Sequence, residues 1–168
     1  MRTTRKSPPR PPGRVSAAVS VRMRAIRTRD THAERALREA LWKCGLRYRL
    51  HGRLLRGRPD IVFGIARVAV FVDGDFWHGR MMIEKGRASL ARTFTGPRAR
   101  WWTNKIAYNV RHDREVSRTL RAQGWSVIRI WASDVLTNPV RAARKVQRTV
   151  ARRTEGNLAH RGAAVNKP

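Results

Sequence analysis

Five consecutive apolar residues, Val68-Ala-Val-Phe-Val72, stand in a chain of 168 residues that carries 38 Lys+Arg against 11 Asp+Glu. An uninterrupted run of that length suits a strand buried on both faces, which must be covered from both sides. Asp73-Gly-Asp75 ends it. Upstream, Asp60-Ile-Val-Phe63 reads as a short strand broken by Gly64, and Leu46, Tyr48 and Leu50 alternate with Arg47 and Arg49 as a half-buried strand. Downstream, Trp125–Trp131 is a further strand. Thr31 with Glu34 fits a capping box, and Ala33, Leu37 and Leu41 continue at helical spacing until Gly45. Trp101 to Gln123 reads as a long polar helix, and Asn138-Pro139 starts a last helix expected to end near Arg153. Residues 79–97, with Gly79, Gly86, Gly96 and Pro97, read as a loop. The order is α-β-β-β-α-β-α, which predicts an α/β fold: a mixed β-sheet flanked by helices. One domain is expected over residues 21–153. A disordered basic arm (1–20) and a disordered tail (154–168) flank it.

The formal net charge of +27 demands a polyanionic partner or dense counterions. Both ends are nearly acid-free: residues 1–22 hold no Asp or Glu and residues 141–168 hold only Glu155. A 41% hydrophobic content and 6 Trp separate the chain from disordered basic tails. A single cysteine, Cys44, excludes an internal disulfide and a cysteine-rich zinc finger. No apolar run approaches the roughly 18 residues of a membrane span, and no apolar stretch of a secretory signal follows the basic N-terminus. A cytoplasmic, nucleic-acid-facing protein is expected, with binding that weakens steeply as salt rises.

Against that charge the acids are the scarce resource. Asp60, Asp73 and Asp75 fall close together in sequence, and antiparallel pairing of their strands would bring Asp60 and Asp73 near each other. Crowded carboxylates repel unless a cation sits between them, and oxygen donors suit Mg²⁺. His78 follows in Phe76-Trp77-His78, and a neutral imidazole near pH 7 suits a general base. Plainer readings stand beside these. Asp60 and Asp73-Gly-Asp75 are good turn residues, the capping box alone accounts for Glu34, and Phe76 and Trp77 are either core residues or wedges for a base stack.

Met23-Arg-Ala-Ile26, Thr28-Arg-Asp-Thr31, Glu34, Gly57-Arg-Pro-Asp60, Phe71-Val-Asp-Gly-Asp-Phe-Trp-His78, Lys105-Ile106, Asn109, Asp113 and Gly124-Trp-Ser-Val-Ile-Arg-Ile-Trp131 follow one another in order. This set resembles the very short patch repair (Vsr-type) DNA mismatch endonuclease family over about Met23 to Leu136. The resemblance implies a restriction-endonuclease-like fold and Mg²⁺-dependent nicking of double-stranded DNA 5′ to the thymine of a T:G mismatch. It implies that Asp60 and the main-chain carbonyl of Val72 bind the metal, that His78 activates water, and that Glu34 supports the site through water. Phe76 and Trp77 match aromatics that wedge beside the mismatch. Met23 matches a residue intruding from the N-terminal arm, with Arg24 next to it on the DNA. Lys105, together with Arg100 and Arg111, is a candidate phosphate contact. A monomer is expected.

The chain departs from the pattern at three places. Asp73 stands where the family commonly has a second histidine, so it either binds the metal directly or stabilises His78. The segments Gly79-Arg-Met-Met82 and Trp131-Ala-Ser133 lack the cysteines and histidine of the family's structural zinc, and Asp113, which matches a zinc-side residue, is left alone. Zinc usually takes four ligands, so none is expected, and packing by Met81 and Met82 has to replace it. These departures keep two rivals open. One is a diverged nuclease of the same fold in a restriction, mobile-element or defence system. The other is a non-catalytic basic nucleic-acid-binding protein.

Overall fold

The computed structural model describes residues 8, 9, 13 and 30–165, the side chains of 157–165 excepted. The candidate DNA contacts Met23 and Arg24 lie outside the described residues. The elements in chain order are α1 (His32–Lys43), β1 (Arg49–Leu50), β2 (Ile61–Phe63), β3 (Val68–Asp73), α2 (Arg80–Arg92), α3 (Ala99–Ala122), β4 (Ser126–Trp131), α4 (Ala132–Thr137) and α5 (Pro139–Val165). The expected mixed sheet flanked by helices is present, with two further helices, α2 and α4. Two compact units divide the chain: Thr28–Gly74 with Glu115–Pro168, and Asp75–Arg114 with the N-terminal segment.

The first unit holds the sheet, in the order β1-β2-β3-β4. β2 pairs antiparallel with β1 and β3, and β4 joins β3 in parallel, Val70 opposite Ile128. Alternation along β3 explains why Val68–Val72 is apolar throughout. Val68 and Val70 pack into a core with Leu37 and Leu41 of α1, Val135 of α4 and Val146 of α5. Ala69 and Phe71 point the other way, onto Val116 and Leu120 of α3. Each fully buried Val or Leu contributes about 1.5–3 kcal/mol of transfer free energy. The predicted capping box starts α1, with Thr31 and Glu34 satisfying each other's backbone amides. Asn138 caps α5 through its side-chain oxygen, which accepts the Arg141 amide at 2.8 Å. That helix continues to Val165, beyond the end near Arg153 expected from sequence.

The second unit is built differently. Its small core is Leu90, Ile106 and Val110, with Met82 and Phe94 against it. Residues 80–92, expected as loop, are helical apart from Gly86, whose φ of 83° and ψ of 165° break the helix in two. Glycine punctuation suggested a loop there, but an Arg80–Glu84 ion pair at 2.7 Å and burial of Leu90 hold the two helical pieces. Gly79 is required by space as well as by its φ of 72°. A Cβ there would lie 2.7 Å from Val110 Cγ2 and 2.8 Å from Ile106 Cγ2.

Candidate metal centre and base

The first unit brings Glu34, His51 and Asp60 together, with one ligand atom of each within 4.8 Å of the others. Three elements deliver them: the first turn of α1, the residue after β1, and the residue before β2. The Asp60 amide donates to the Val70 carbonyl at 3.0 Å, and Asp60 Oδ2 accepts the Val72 amide at 2.8 Å. Antiparallel pairing of β2 and β3 therefore fixes Asp60, as its position at a strand start predicted. Burial pushes the Asp60 carboxyl up to about 6. The negative charges of Glu34 and Asp73 push the same way, against the Val72 hydrogen bond and His51. A cation at Asp60 would relieve that strain, and the donor set of two carboxylates and an imidazole fits a divalent ion.

Glu34 is buried, 3% exposed, and does two jobs at once. Its Oε1 accepts from the Thr31 hydroxyl (2.9 Å) and amide (3.4 Å), and its Oε2 from the Asp30 amide (3.1 Å) and Arg38 (3.2 Å). The capping box thus orients the carboxylate that the cluster includes.

Asp73 lies close enough to act on Asp60 and is gripped by an arginine. Its carboxylate takes a two-pronged grip from Arg129 of β4, at 2.5 and 2.7 Å, and is 4% exposed. It is not a member of the three-residue group. The reason is the parallel register, which sets Arg129 opposite Phe71 on the neighbouring strand. The arginine plane also lies over the Phe71 ring, 4.6 Å from its centroid.

In the second unit His78 Nδ1 is 2.7 Å from Asp113 Oδ2. A carboxylate only accepts, so Nδ1 carries a proton, and in the neutral ring the lone pair is then on Nε2. Asp113, which the resemblance matches to a zinc-side residue, is the partner of His78. Asn109 pins the same loop by donating to the Trp77 carbonyl at 2.8 Å. The Asp75 and Arg80 side chains pair at 3.0 Å across the turn, and the Arg80 amide donates to the Asp75 carbonyl at 2.9 Å. Met82 packs into the small core, whereas Met81 is 37% exposed.

Phe76, 46% exposed, tops a cluster of rings: Trp77 at 5.1 Å, Trp102 at 5.5 Å and Phe94 at 6.1 Å between centroids, all edge-on. Lys105 is half-buried, and desolvation draws its ammonium below the ordinary lysine range. Arg100 and Arg111 are exposed.

His51 is the residue that sequence reading missed. Nothing in Leu50-His-Gly52 marks it, because its relation to Asp60 arises from strand pairing. The one local hint was its neighbourhood to Gly52 in a turn.

A family model described as DNA mismatch endonuclease Vsr matches residues 16–84. The type II nicking enzyme V.NmeDIP of Neisseria meningitidis serogroup C is 41% identical over 128 residues, 76% of this chain and 82% of that protein. The type II nicking enzyme V.NaeI of Lentzea aerocolonigenes is 38% identical over 136 residues, 78% of this chain and 77% of that protein. The DNA mismatch endonuclease Vsr of Escherichia coli K12 is 37% identical over 116 residues, 68% of this chain and 69% of that protein. Together with the mixed sheet and the order of motifs along it, these matches mean that the chain belongs to the Vsr family of DNA endonucleases.

Proposed function

We propose that the protein is a divalent-metal-dependent endonuclease that nicks one strand of double-stranded DNA by phosphodiester hydrolysis. The observation that carries this reading is the Glu34–His51–Asp60 cluster, a concentration of ligand atoms around a buried carboxylate in a chain of net charge +27. When bound, Mg²⁺ or a similar ion supplies acidified water and neutralises charge building on the phosphate. Asp60 and the Val72 carbonyl hold it in this proposal, and Glu34 acts from behind through water. Nε2 of His78 takes the proton from the attacking water. Asp113 orients the ring and balances the imidazolium that forms. Lys105 and the exposed arginines hold phosphates, and Met23, Arg24, Phe76 and Trp77 engage the bases.

Cleavage 5′ to the thymine of a T:G mismatch is the specificity proposed first. The type II nicking enzymes among the relatives support nicking of one strand and keep the diverged-nuclease reading as the second. Asp73 serves as an anchor for Arg129 in either reading. The turn after β3 is proposed to do without zinc, its ends tied by the Asp75–Arg80 pair.

The deciding experiment is nicking of T:G and T:A duplexes with Mg²⁺ and with EDTA. Cutting of T:G alone, lost in EDTA, supports the first reading, and equal cutting of both leaves only the second. Asp60→Ala is expected to lower the nicking rate by about 10³-fold, several kcal/mol of lost charge stabilisation, with DNA binding retained. Unchanged cutting would mean that Asp60 does not hold the ion.

A further inference from the structure

We propose that His51 is a direct nitrogen ligand of the ion at Asp60, and that it shifts the preference of the site from Mg²⁺ toward nitrogen-accepting first-row ions such as Mn²⁺. This rests on the metal-dependent reading above.

The hydrogen bonds sort the three cluster residues. The Glu34 carboxylate already accepts four hydrogen bonds, which makes it the most committed of the three. Asp60 spends Oδ2 on the Val72 amide, while Oδ1 takes no hydrogen bond from the described residues. The His51 imidazole likewise makes no hydrogen bond among the described residues. Its nearest acidic oxygen, Asp30 Oδ1, is 3.9 Å from Nε2, too long for one, and is held by Arg38. Asp60 and His51 therefore each keep an uncommitted donor, one oxygen and one nitrogen, within the same cluster.

Their spacing is fixed by the backbone. The His51 amide donates to the Asp60 carbonyl at 3.0 Å, which ties the two residues across the β1–β2 pair. Opposite donors of an octahedral ion with bonds of about 2.1 Å lie about 4.2 Å apart, so ligand atoms within 4.8 Å of one another need at most about 0.6 Å of closure. His51 also sits at φ 49°, a left-handed conformation that costs most residues about 1–2 kcal/mol. Its side chain is 25% exposed, which leaves a path for an ion. Mg²⁺ prefers oxygen and retained water, whereas imidazole suits later first-row ions such as Fe²⁺, Ni²⁺ and Zn²⁺, and Mn²⁺, a first-row transition ion, accepts nitrogen more readily than Mg²⁺ does.

The test uses the full-length protein and Mn²⁺ as the probe. Electron spin echo of bound Mn²⁺ is expected to show ¹⁴N modulation from an imidazole. His51→Asn removes the nitrogen while keeping a residue that tolerates positive φ, so the chain still folds, as a thermal melt checks. The variant is expected to lose the modulation and to bind Mn²⁺ about tenfold or more weaker in calorimetry, with Mg²⁺ affinity changed less than about threefold. Absence of ¹⁴N modulation in the wild type, or its persistence in His51→Asn, overturns the assignment while the metal-dependent reading stands. Failure of Mn²⁺ to bind at all overturns both.

Discussion

The two units hold their chemical groups by opposite means. In the sheet unit, backbone pairing does the placing: Asp60 and His51 are set by strand register, and Asp73 is met by an arginine from the adjacent strand. In the other unit, side chains hold side chains and loops: Asp113 on His78, Asn109 on the Trp77 carbonyl, Arg80 on Asp75. Groups placed by a ladder share the stability of the whole sheet. Groups placed by a single hydrogen bond depend on that bond alone. Substitutions in the first unit should therefore show in stability as well as activity, and those in the second mainly in activity.

The sharpest break is at the histidine. His78→Asn is expected to lower the nicking rate by about 10²–10⁴-fold, the usual contribution of a general base, with the melting temperature nearly unchanged. Asp113→Asn is expected to lose less, about tenfold or more, because the imidazolium loses its counter-charge and the ring its orienting partner. An unchanged nicking rate would reduce Asp113 to a packing residue.

Asp73→Asn reverses the pattern. Leaving the Arg129 guanidinium without its carboxylate is expected to destabilise by about 3 kcal/mol, read from urea unfolding. A full loss of nicking with stability unchanged would return Asp73 to the metal.

Asp60 gives the pH signature of the sheet unit. Its carboxyl is raised from 3.8 to about 6 in the fold, so the native state favours the protonated form. Stability from this group is complete below pH 3.8 and is lost as pH rises through 6. The loss is about 2–3 kcal/mol by pH 8 in EDTA. Asp60→Asn should recover most of it, giving a more stable protein that does not cut. Equal stability of wild type and variant at pH 8 would show that Asp60 is not desolvated.

A stability contrast separates two glycines of the second unit. Gly79→Ala pays for its φ of 72° and also meets Val110 and Ile106, about 2–5 kcal/mol together, whereas Gly86→Ala, with nothing within 4 Å, pays only for its backbone conformation, about 1–3 kcal/mol. Equal costs would mean that the loop yields at Gly79.

What the sequence disclosed follows the same division. The capping box, the doubly buried β3 and the Asp60 position at a strand start were legible, since each depends on local pattern or on one antiparallel pairing. The Asp73–Arg129 grip was not, because it needs the parallel register of β3 with a strand more than fifty residues later. His51 was hidden for a similar reason, with two residues of strand between it and any sequence signal. The helix at 80–92 was masked by Gly86, a break within a helix that reads as the absence of one.

One carboxylate links folding to chemistry. Glu34 locks the start of α1 and also forms the acidic wall behind Asp60. A chain whose first helix has not closed thus lacks an intact cluster. In a DNA endonuclease built this way, the cluster forms only once that helix is sealed.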